Sequence, residues 1–473
     1  MLFNSFVFVG FFLVVYAVYL GLQRHLQAQN RFLLVASYIF YGYWDPRFLL
    51  LLVTSTLVDF WVGQRLGQTD DPRRRQALLI LSIVSNLSIL GGFKYFNFFV
   101  ESFADLLSLV GLQPNYPSLG IILPVGISFY TFQTLSYTID VYRRTLPPAR
   151  DFLDFALFVS FFPQLVAGPI ERAATLLPQV SSPRRICWSQ VNAGLFLILW
   201  GYFKKLVIAD NLAPLVEEVF EDYTAYQGLD ITLAALAFTV QIYGDFSGYS
   251  DIARGLAKLL GFELMLNFRL PYFATTPSDF WARWHISLST WFRDYVYIPL
   301  GGNRQGTLLT YRNLAITMLL CGLWHGAAWN FVLWGAFHGL LLLGYRIVRS
   351  PLLAIAKSSQ PWTGWVLLGQ MGVMFCLTTI GWILFRATSI DQIGYLLTHL
   401  GWQPSAASAE FLGDLVFFSA PLLVVQLCQY VSQDLLVLTK LPAWGRLPLY
   451  GLMLAWMVIF SDRSPSEFIY FQF

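Results

Sequence analysis

His325 lies within residues 321–329, in a stretch of the chain apolar enough to be immersed in lipid. An ionisable side chain is costly there, so membrane proteins rarely carry one without a use. Imidazole is also the side chain best suited to transfer protons near neutral pH. The small neighbours Gly322 and Gly326 let helix backbones come close or leave a passage beside the ring. We therefore predict that His325 is the reactive centre, with a hydrogen-bonded packing role as the alternative.

Residues 276–294 contain a second candidate histidine among tryptophans and arginines. Thr276 as N-cap and Pro277 at the first helical position predict the start of a helix, and Pro299 predicts its end. Its apolar face would be formed by Trp281, His285, Leu288 and Phe292. Arginines on the other faces, Arg283 and Arg293, are typical of a helix at the headgroup boundary. His285 is a candidate for catalysis or substrate positioning, although interfacial histidines without a function are common.

Residues 243–251 form a polar segment at the end of an apolar run and include Tyr249. Asp245 or Asp251 would be able to orient a histidine or a hydroxyl group. Capping and solvating a helix end is the more common use of such carboxylates. The segment does not place a serine at the centre of G-x-S-x-G, so it predicts no nucleophile elbow.

The sequence predicts no bound metal. Cys321 and His325 are four residues apart and share a helical face, but no carboxylate or second histidine at ligand spacing completes a site. The four cysteines lack the paired spacing of a disulfide framework or a zinc site. His338 would face away from His325 on a continuous helix, which indicates a packing role.

Hydrophobic residues form 56% of the 473-residue chain and charged residues only 12%, against about 45–50% apolar residues in soluble proteins. This balance predicts an all-α polytopic membrane protein surrounded by lipids. The net charge of +3 is too small to indicate a nucleic-acid partner. The first apolar run, residues 2–22, lacks a basic n-region and a cleavage site. We expect it to be a retained span with its N-terminus outside.

Apolar runs of spanning length recur along the chain and predict about a dozen helices in a single integral domain, residues 1–473. Basic loops, such as those near residues 73–75 and 143–150, predict the cytoplasmic side. We expect residues 32–62 to form two short spans broken near Trp44, and residues 77–112 to form one long helix or a pair. Pro163, Gly168 and Pro169 interrupt residues 152–170, which predicts a re-entrant hairpin.

Four motifs in order along most of the chain resemble those of the membrane-bound O-acyltransferase (MBOAT) family. They are Phe162-Pro-Gln-Leu-Val-Ala-Gly-Pro-Ile170, Tyr243-Gly-Asp-Phe-Ser-Gly-Tyr-Ser-Asp251, the segment 279–294, and Gly322-Leu-Trp-His-Gly326. The bacterial branch with the alginate O-acetylase and the D-alanyl-teichoic acid exporter is the most similar. Residues 297–304 and the ending at residues 468–473 resemble the alginate O-acetylase type.

This resemblance implies a ring of about a dozen tilted helices, with re-entrant and interfacial helices around a central funnel. His325 matches the signature histidine at the funnel floor, and His285 matches the second polar residue across the tunnel. The family passes an acyl group from a cytoplasmic thioester, such as acetyl-CoA, to a hydroxyl. No tightly bound cofactor is implied.

In this branch the resemblance implies transfer across the bacterial inner membrane. The implied partners are a periplasmic serine-hydrolase-like acetyltransferase and other proteins of a polysaccharide pathway such as alginate biosynthesis. Residues 349–360 and 406–445 match the family weakly and are candidates for partner or substrate preferences.

The chemistry of the residues agrees with an acyl transfer. A hydroxyl is a poor nucleophile at neutral pH, so a base must take its proton during attack on the thioester. Desolvation in a tunnel would keep the imidazole of His325 neutral and ready to act as that base. Asp245, Tyr249, Trp281, Trp324, Arg283 and Arg293 are the predicted substrate contacts. The arginines would meet donor phosphates or, alternatively, anionic lipid headgroups.

Two other function classes remain open at the level of sequence. One is a proton-coupled transporter or flippase, although no inverted repeat typical of transporters is detectable. The other is a non-catalytic scaffold of a polysaccharide secretion complex, which leaves the cost of an intramembrane imidazole unexplained.

Overall fold

The computed structural model describes residues 1–112, 120–356, 364–461 and 468–469, and of residues 349–356 only the helical backbone. Helices α1–α9 are Phe6–Gly21, Leu26–Gly42, Leu49–Gln68, Pro72–Leu90, Phe96–Leu109, Ile127–Tyr142, Phe152–Ser160, Phe162–Leu165 and Ala173–Val180. Helices α10–α20 are Trp188–Phe203, Asp210–Glu221, Leu229–Leu259, Pro277–Arg283, Ile286–Phe292, Thr307–His325, Trp329–Ala356, Gly364–Arg386, Ile390–Thr398, Ser408–Ser432 and Ala443–Phe460. Part of the segment 349–360 and most of the ending 468–473 lie outside the described residues.

The predicted all-α polytopic membrane fold is confirmed. Eight helical segments within the described ranges are long and apolar enough to cross a membrane, and the shorter apolar helix α1 lies in the first predicted run. No strand occurs in this part of the chain, where the only β feature is an isolated bridge between Gly228 and Leu400. The central funnel and the exact helix count stay predictions.

Two predicted helix breaks are confirmed and have local causes. Between α2 and α3 the carboxylate of Asp45 accepts the backbone N–H of Arg47 at 2.9 Å, next to a proline that ends helical hydrogen bonding. Residues 152–170 divide into α7 and α8 at Phe161, and Pro163 occupies the first turn of α8, where a missing N–H is tolerated. The re-entrant path of this segment stays a prediction.

Residues 72–109 form one continuous helical run of 38 residues. Its two halves, α4 and α5, are joined through a π-helical turn at Gly91–Tyr95 rather than by a loop. Of the two arrangements that the sequence allowed, one long helix is therefore the one that forms.

The chain groups into two compact units, each with its own packing. The first unit comprises Met1–Gly194 and Ala253–Met265. Within it the fully buried carboxylate of Asp59, on α3, accepts hydrogen bonds from Asn86 of α4 at 2.8 Å and Thr138 of α6 at 3.0 Å. In a bilayer the hydrophobic effect does not drive helices together, because lipid tails are as apolar as the helix surfaces. Buried hydrogen bonds of this kind therefore help to hold the helices together.

The second unit comprises Leu195–Ile252 and Leu266–Phe473. It contains all the residues that the sequence nominated for catalysis or substrate binding, so the candidate site is described within this unit. The single integral domain over residues 1–473 stays a prediction.

Candidate active site

The helix predicted to continue from residue 277 towards Pro299 is broken at His285. Helix α13 ends at Arg283, α14 begins at Ile286, and His285 has φ +41° and ψ 53°. This left-handed backbone is uncommon for a residue with a side chain and costs about 1–3 kcal/mol. The continuous helix is therefore wrong, but its start is confirmed, because the Thr276 hydroxyl accepts the N–H of Asp279 at 3.0 Å.

A buried asparagine that sequence reasoning missed holds this break in place. The backbone oxygen of Asn267 accepts the N–H of Ile286 at 2.9 Å. Its side-chain oxygen accepts the N–H and the hydroxyl of Ser287, at 3.2 and 2.9 Å. Asn267 lies in the irregular segment before α13 and belongs to no recognisable motif, so its sequence position gave no signal.

His325 is the last residue of α15, next to a close crossing of α15 and α16. A Cβ added at Gly322 would lie 2.2 Å from the backbone oxygen of Phe331, and one at Gly335 would lie 2.4 Å from that of Met318. The two helices therefore touch through their backbones, and His325 lies one turn beyond the contact. The close approach predicted from the small residues around His325 is confirmed at Gly322.

The structure brings His285 and His325 together, with their ring centroids 6.2 Å apart. Trp324 contacts both imidazoles, at centroid distances of 5.7 Å and 5.1 Å. The two histidines are 0% and 5% exposed. At this spacing a small reacting group placed beside the two rings would be within reach of both imidazoles.

The environment of His285 favours its neutral form. The ring lies against Phe246 at 4.7 Å, and His285 itself belongs to none of the spanning helices. Burial lowers the pKa of His285 to about 3, because desolvation penalises the imidazolium. A neutral imidazole can donate one hydrogen bond and accept another, which suits it to orient a carbonyl or a hydroxyl group.

Asp245, on α12, belongs to a buried ionic cluster, and Tyr249 lies one turn later on the same helix. Lys205 contacts the carboxylates of Asp245 at 2.5 Å and Asp210 at 2.9 Å. The second oxygen of Asp245 accepts the backbone N–H of Ile469 at 2.9 Å. The ring of Tyr249 packs edge-on against Phe468 at 4.5 Å. This cluster anchors residues 468–469, and a direct substrate contact by Asp245 or Tyr249 stays a prediction.

The arginines and Trp281 lie on α13 and just after α14. Arg283 pairs with Asp279 at 2.7 Å, and Arg293 pairs with Asp294 at 2.7 Å, with its side chain 59% exposed. Trp281 and Arg293 both line a cavity of about 430 Å³. The same cavity contains Cys321 in its lining.

His338 lies in a packed aromatic cluster, as the sequence predicted. Its ring stacks on Phe280 at 5.8 Å and meets Trp334 at 4.8 Å. His338 and His325 do not share a continuous helix, because α15 ends at His325 and α16 begins at Trp329. Within the described ranges no group of three or more His, Cys, Asp or Glu residues could hold a metal ion.

Comparison with known proteins supplies the decisive observation on identity. The sequence model of one protein family, "MBOAT, membrane-bound O-acyltransferase family", matches residues 143–385, slightly more than half of the chain. The chain belongs to the membrane-bound O-acyltransferase family. Both histidines of the candidate site lie within the matched region.

Several relatives cover most of this MBOAT chain. A probable alginate O-acetylase of Azotobacter vinelandii is 43% identical over 417 residues, covering 88% of this chain and 79% of the relative. The protein of the same name from Pseudomonas aeruginosa is 44% identical over 394 residues, covering 83% and 73%. A peptidoglycan O-acetyltransferase of Helicobacter pylori is 32% identical over 531 aligned residues, covering 100% and 98%.

Family membership makes the chain a multi-pass membrane acyltransferase. The resemblance recognised from four short motifs is confirmed, including its alginate O-acetylase-like branch. These relatives are bacterial, which indicates the inner membrane as the location.

Proposed function

We propose that this MBOAT chain moves an acetyl group from a cytoplasmic acyl thioester to a hydroxyl acceptor across the membrane. The acetyl group would then O-acetylate an extracellular polysaccharide such as alginate, with His325 as general base. The observation that carries the proposal is the pair of buried imidazoles, 6.2 Å apart, inside the region matched by the family model.

The proposed reaction follows from the chemistry of these two rings. His325 takes the proton of the acceptor hydroxyl as its oxygen attacks the thioester carbonyl carbon. The new C–O bond forms, the C–S bond breaks, and the proton passes from His325 to the departing thiolate. No net proton is released, so His325 begins and ends the transfer as a neutral imidazole. His285, neutral through burial, hydrogen-bonds the carbonyl oxygen or the hydroxyl and keeps it in line.

The donor, acceptor and partners are the finer parts of the proposal. Acetyl-CoA or another acyl thioester is the donor substrate, and Arg283 and Arg293 meet its phosphates. The named activities of the relatives, alginate and peptidoglycan O-acetylation, support a polysaccharide as the final acceptor. A periplasmic serine-hydrolase-like acetyltransferase completes the transfer in this proposal.

The proposal is tested by replacing His325 in purified full-length protein with labelled acetyl-CoA as donor. His325→Ala should lower transfer by about 10²–10⁴-fold, the usual contribution of a general base. His338→Phe is the matched control, since it removes a second buried imidazole from the same unit but keeps an aromatic ring. It should retain transfer within about tenfold of the original protein, because it removes no acid–base group from the reaction.

Ordinary turnover by His325→Ala would contradict the proposal, provided that the variant reaches the membrane in normal amounts. A loss of the same size in both variants would point to packing rather than catalysis. Movement of a solute across the membrane without any thioester would support the transporter alternative instead.

A further inference from the structure

Three aromatic rings enclose the imidazole of His325. Trp324, Trp334 and Phe385 approach it edge to face, with centroids 5.1, 4.9 and 5.3 Å away and interplanar angles of 84°, 82° and 78°. These three rings form part of the wall that an acyl group held beside His325 would meet. Which ring it meets decides how long the acyl chain can be.

A single further side chain lies between Trp334 and a cavity. The ring of Phe385 is backed by Phe331 at 5.0 Å, and Trp324 faces the second histidine of the site. Behind Trp334, at 5.7 Å, lies Trp281, which forms part of the lining of the 430 Å³ cavity. The other residues that line this cavity are mostly apolar and include Ile286, Leu314, Met318 and Leu342.

The backbone fixes Trp334 in this position. Its neighbour Gly335 lies at the close crossing of α15 and α16, where an added Cβ would come within 2.4 Å of a backbone oxygen. The Trp334 side chain is 0% exposed and packs on His338 as well as on Trp281. A ring held on a rigid helix and closed in on several sides cannot swing away to admit a longer ligand.

We propose that Trp334 restricts this enzyme to short acyl donors of the acetyl class. This inference rests on the proposed function, since it concerns the donor of that same reaction. The indole occupies the space beside His325 in which the third and later carbons of a longer acyl chain would lie. A cavity of about 150 Å³ in an apolar core is large enough to bind benzene. Removing the indole therefore makes room for several carbons, in a space lined by apolar side chains.

The experiment compares acetyl-CoA with butyryl-CoA as donors for purified full-length protein and measures the ratio of the two transfer rates. Trp334→Ala should raise the butyryl-to-acetyl ratio by at least about tenfold, the effect of fitting or excluding one or two methylenes. Trp334→Phe should raise the ratio for propionyl-CoA more than for butyryl-CoA, because a phenyl ring leaves a smaller space.

Trp382→Ala is the matched control. Trp382 is buried in the same aromatic cluster and contacts Trp334 at 6.0 Å and Phe385 at 5.6 Å, but its ring makes no contact with His325. The variant loses the same indole and creates a comparable void. Its ratio of butyryl to acetyl transfer should stay that of the original protein.

The outcomes separate this inference from the function on which it rests. Absence of transfer from every thioester by the original protein would remove the proposed function itself. Normal acetyl transfer with an unchanged ratio in both Trp334 variants would overturn only the inference. A ratio that rises equally in Trp382→Ala would also overturn it. Loss of both donors in Trp334→Ala and Trp334→Phe, in protein that still folds, would assign Trp334 to packing.

Discussion

At the scale of single residues, the most informative feature is the strained backbone of His285. A left-handed histidine is retained only where surrounding contacts over-determine it, and Asn267 supplies three of those contacts. The strain turns the imidazole out of the direction it would have on a continuous helix. Backbone strain of this kind clusters at functional sites, which supports a role for His285 beside His325.

Replacing His285 should lower the rate without changing the shape of its pH dependence. With a pKa near 3, the His285 imidazole is neutral throughout pH 5–9, so its titration adds no limb to the profile in that range. We expect His285→Ala to lower kcat/KM by more than about tenfold at every pH tested. Steady-state rates of both proteins between pH 5 and pH 9 measure this.

Ser250→Ala is the control for that measurement. Ser250 is buried, and its hydroxyl is 3.4 Å from the side-chain nitrogen of Asn267, which is a weak contact. Removing this hydroxyl leaves the hydrogen bonds between Asn267 and Ser287 intact. A loss below about tenfold in His285→Ala would reduce His285 to a supporting side chain. A limb that disappears in the variant would show instead that His285 titrates during turnover.

At the scale of helices, the crossing of α15 and α16 places His325 and Trp334 on two elements in backbone contact. Gly322 lies one turn before His325, and Gly335 follows Trp334 directly. Small residues are the usual means by which membrane helices approach this closely. The distance between the imidazole and the indole is therefore fixed by two glycines rather than by side-chain packing alone.

Gly322→Ala should separate these helices and impair both stability and transfer. Its added Cβ would lie 2.2 Å from the Phe331 oxygen, so the backbone must shift, at a cost of about 1–3 kcal/mol. Gly344→Ala, on the partner helix α16, is the matched control because nothing lies within 4 Å of its added Cβ. Its expected effect is neutral or stabilising by up to about 1 kcal/mol. Thermal unfolding in detergent and acetyl-transfer rates measure both variants, and equal behaviour would contradict the role given to the crossing.

Helix boundaries with local causes could be predicted from the sequence, and those with distant causes could not. Trp44-Asp45-Pro46 carries its own turn chemistry, so the break between α2 and α3 was predictable. The capped start of α13 at Pro277 was predictable for the same reason. The break at His285 depends on Asn267, which contributes through tertiary hydrogen bonds that no periodicity within residues 277–292 reveals.

At the scale of the whole molecule, the candidate site is assembled from segments far apart in the chain. His285, His325 and Phe385 come from three different stretches of the chain. Composition and apolar runs were enough to predict a polytopic helical protein. The proximity of the two histidines followed only from the family resemblance. The inference that Trp334 limits acyl length required the positions of the packed side chains.

The proposed function requires that acetyl groups enter from one side of the membrane and leave on the other. Purified protein in liposomes, oriented by protease accessibility of a tag, should transfer label from acetyl-CoA on the side of the basic loops to a hydroxyl acceptor on the opposite side. Arg73, Arg74 and Arg75 lie in the first turn of α4 rather than in a loop, and their charge predicts that this end of the helix is cytoplasmic. Label should not appear on the far side when the acceptor is left out, because in the proposed reaction the acetyl group leaves the thioester only by forming an ester with the acceptor hydroxyl.

His325→Ala in the same liposomes separates transfer from transport. A variant that lacks the general base should fail to label the acceptor even though its helices still span the bilayer. Label reaching the far side in this variant, or intact acetyl-CoA crossing in the original protein, would mean that the chain conducts a solute past the histidines. Label confined to acceptor on the donor side would keep His325 as the base but remove passage across the membrane.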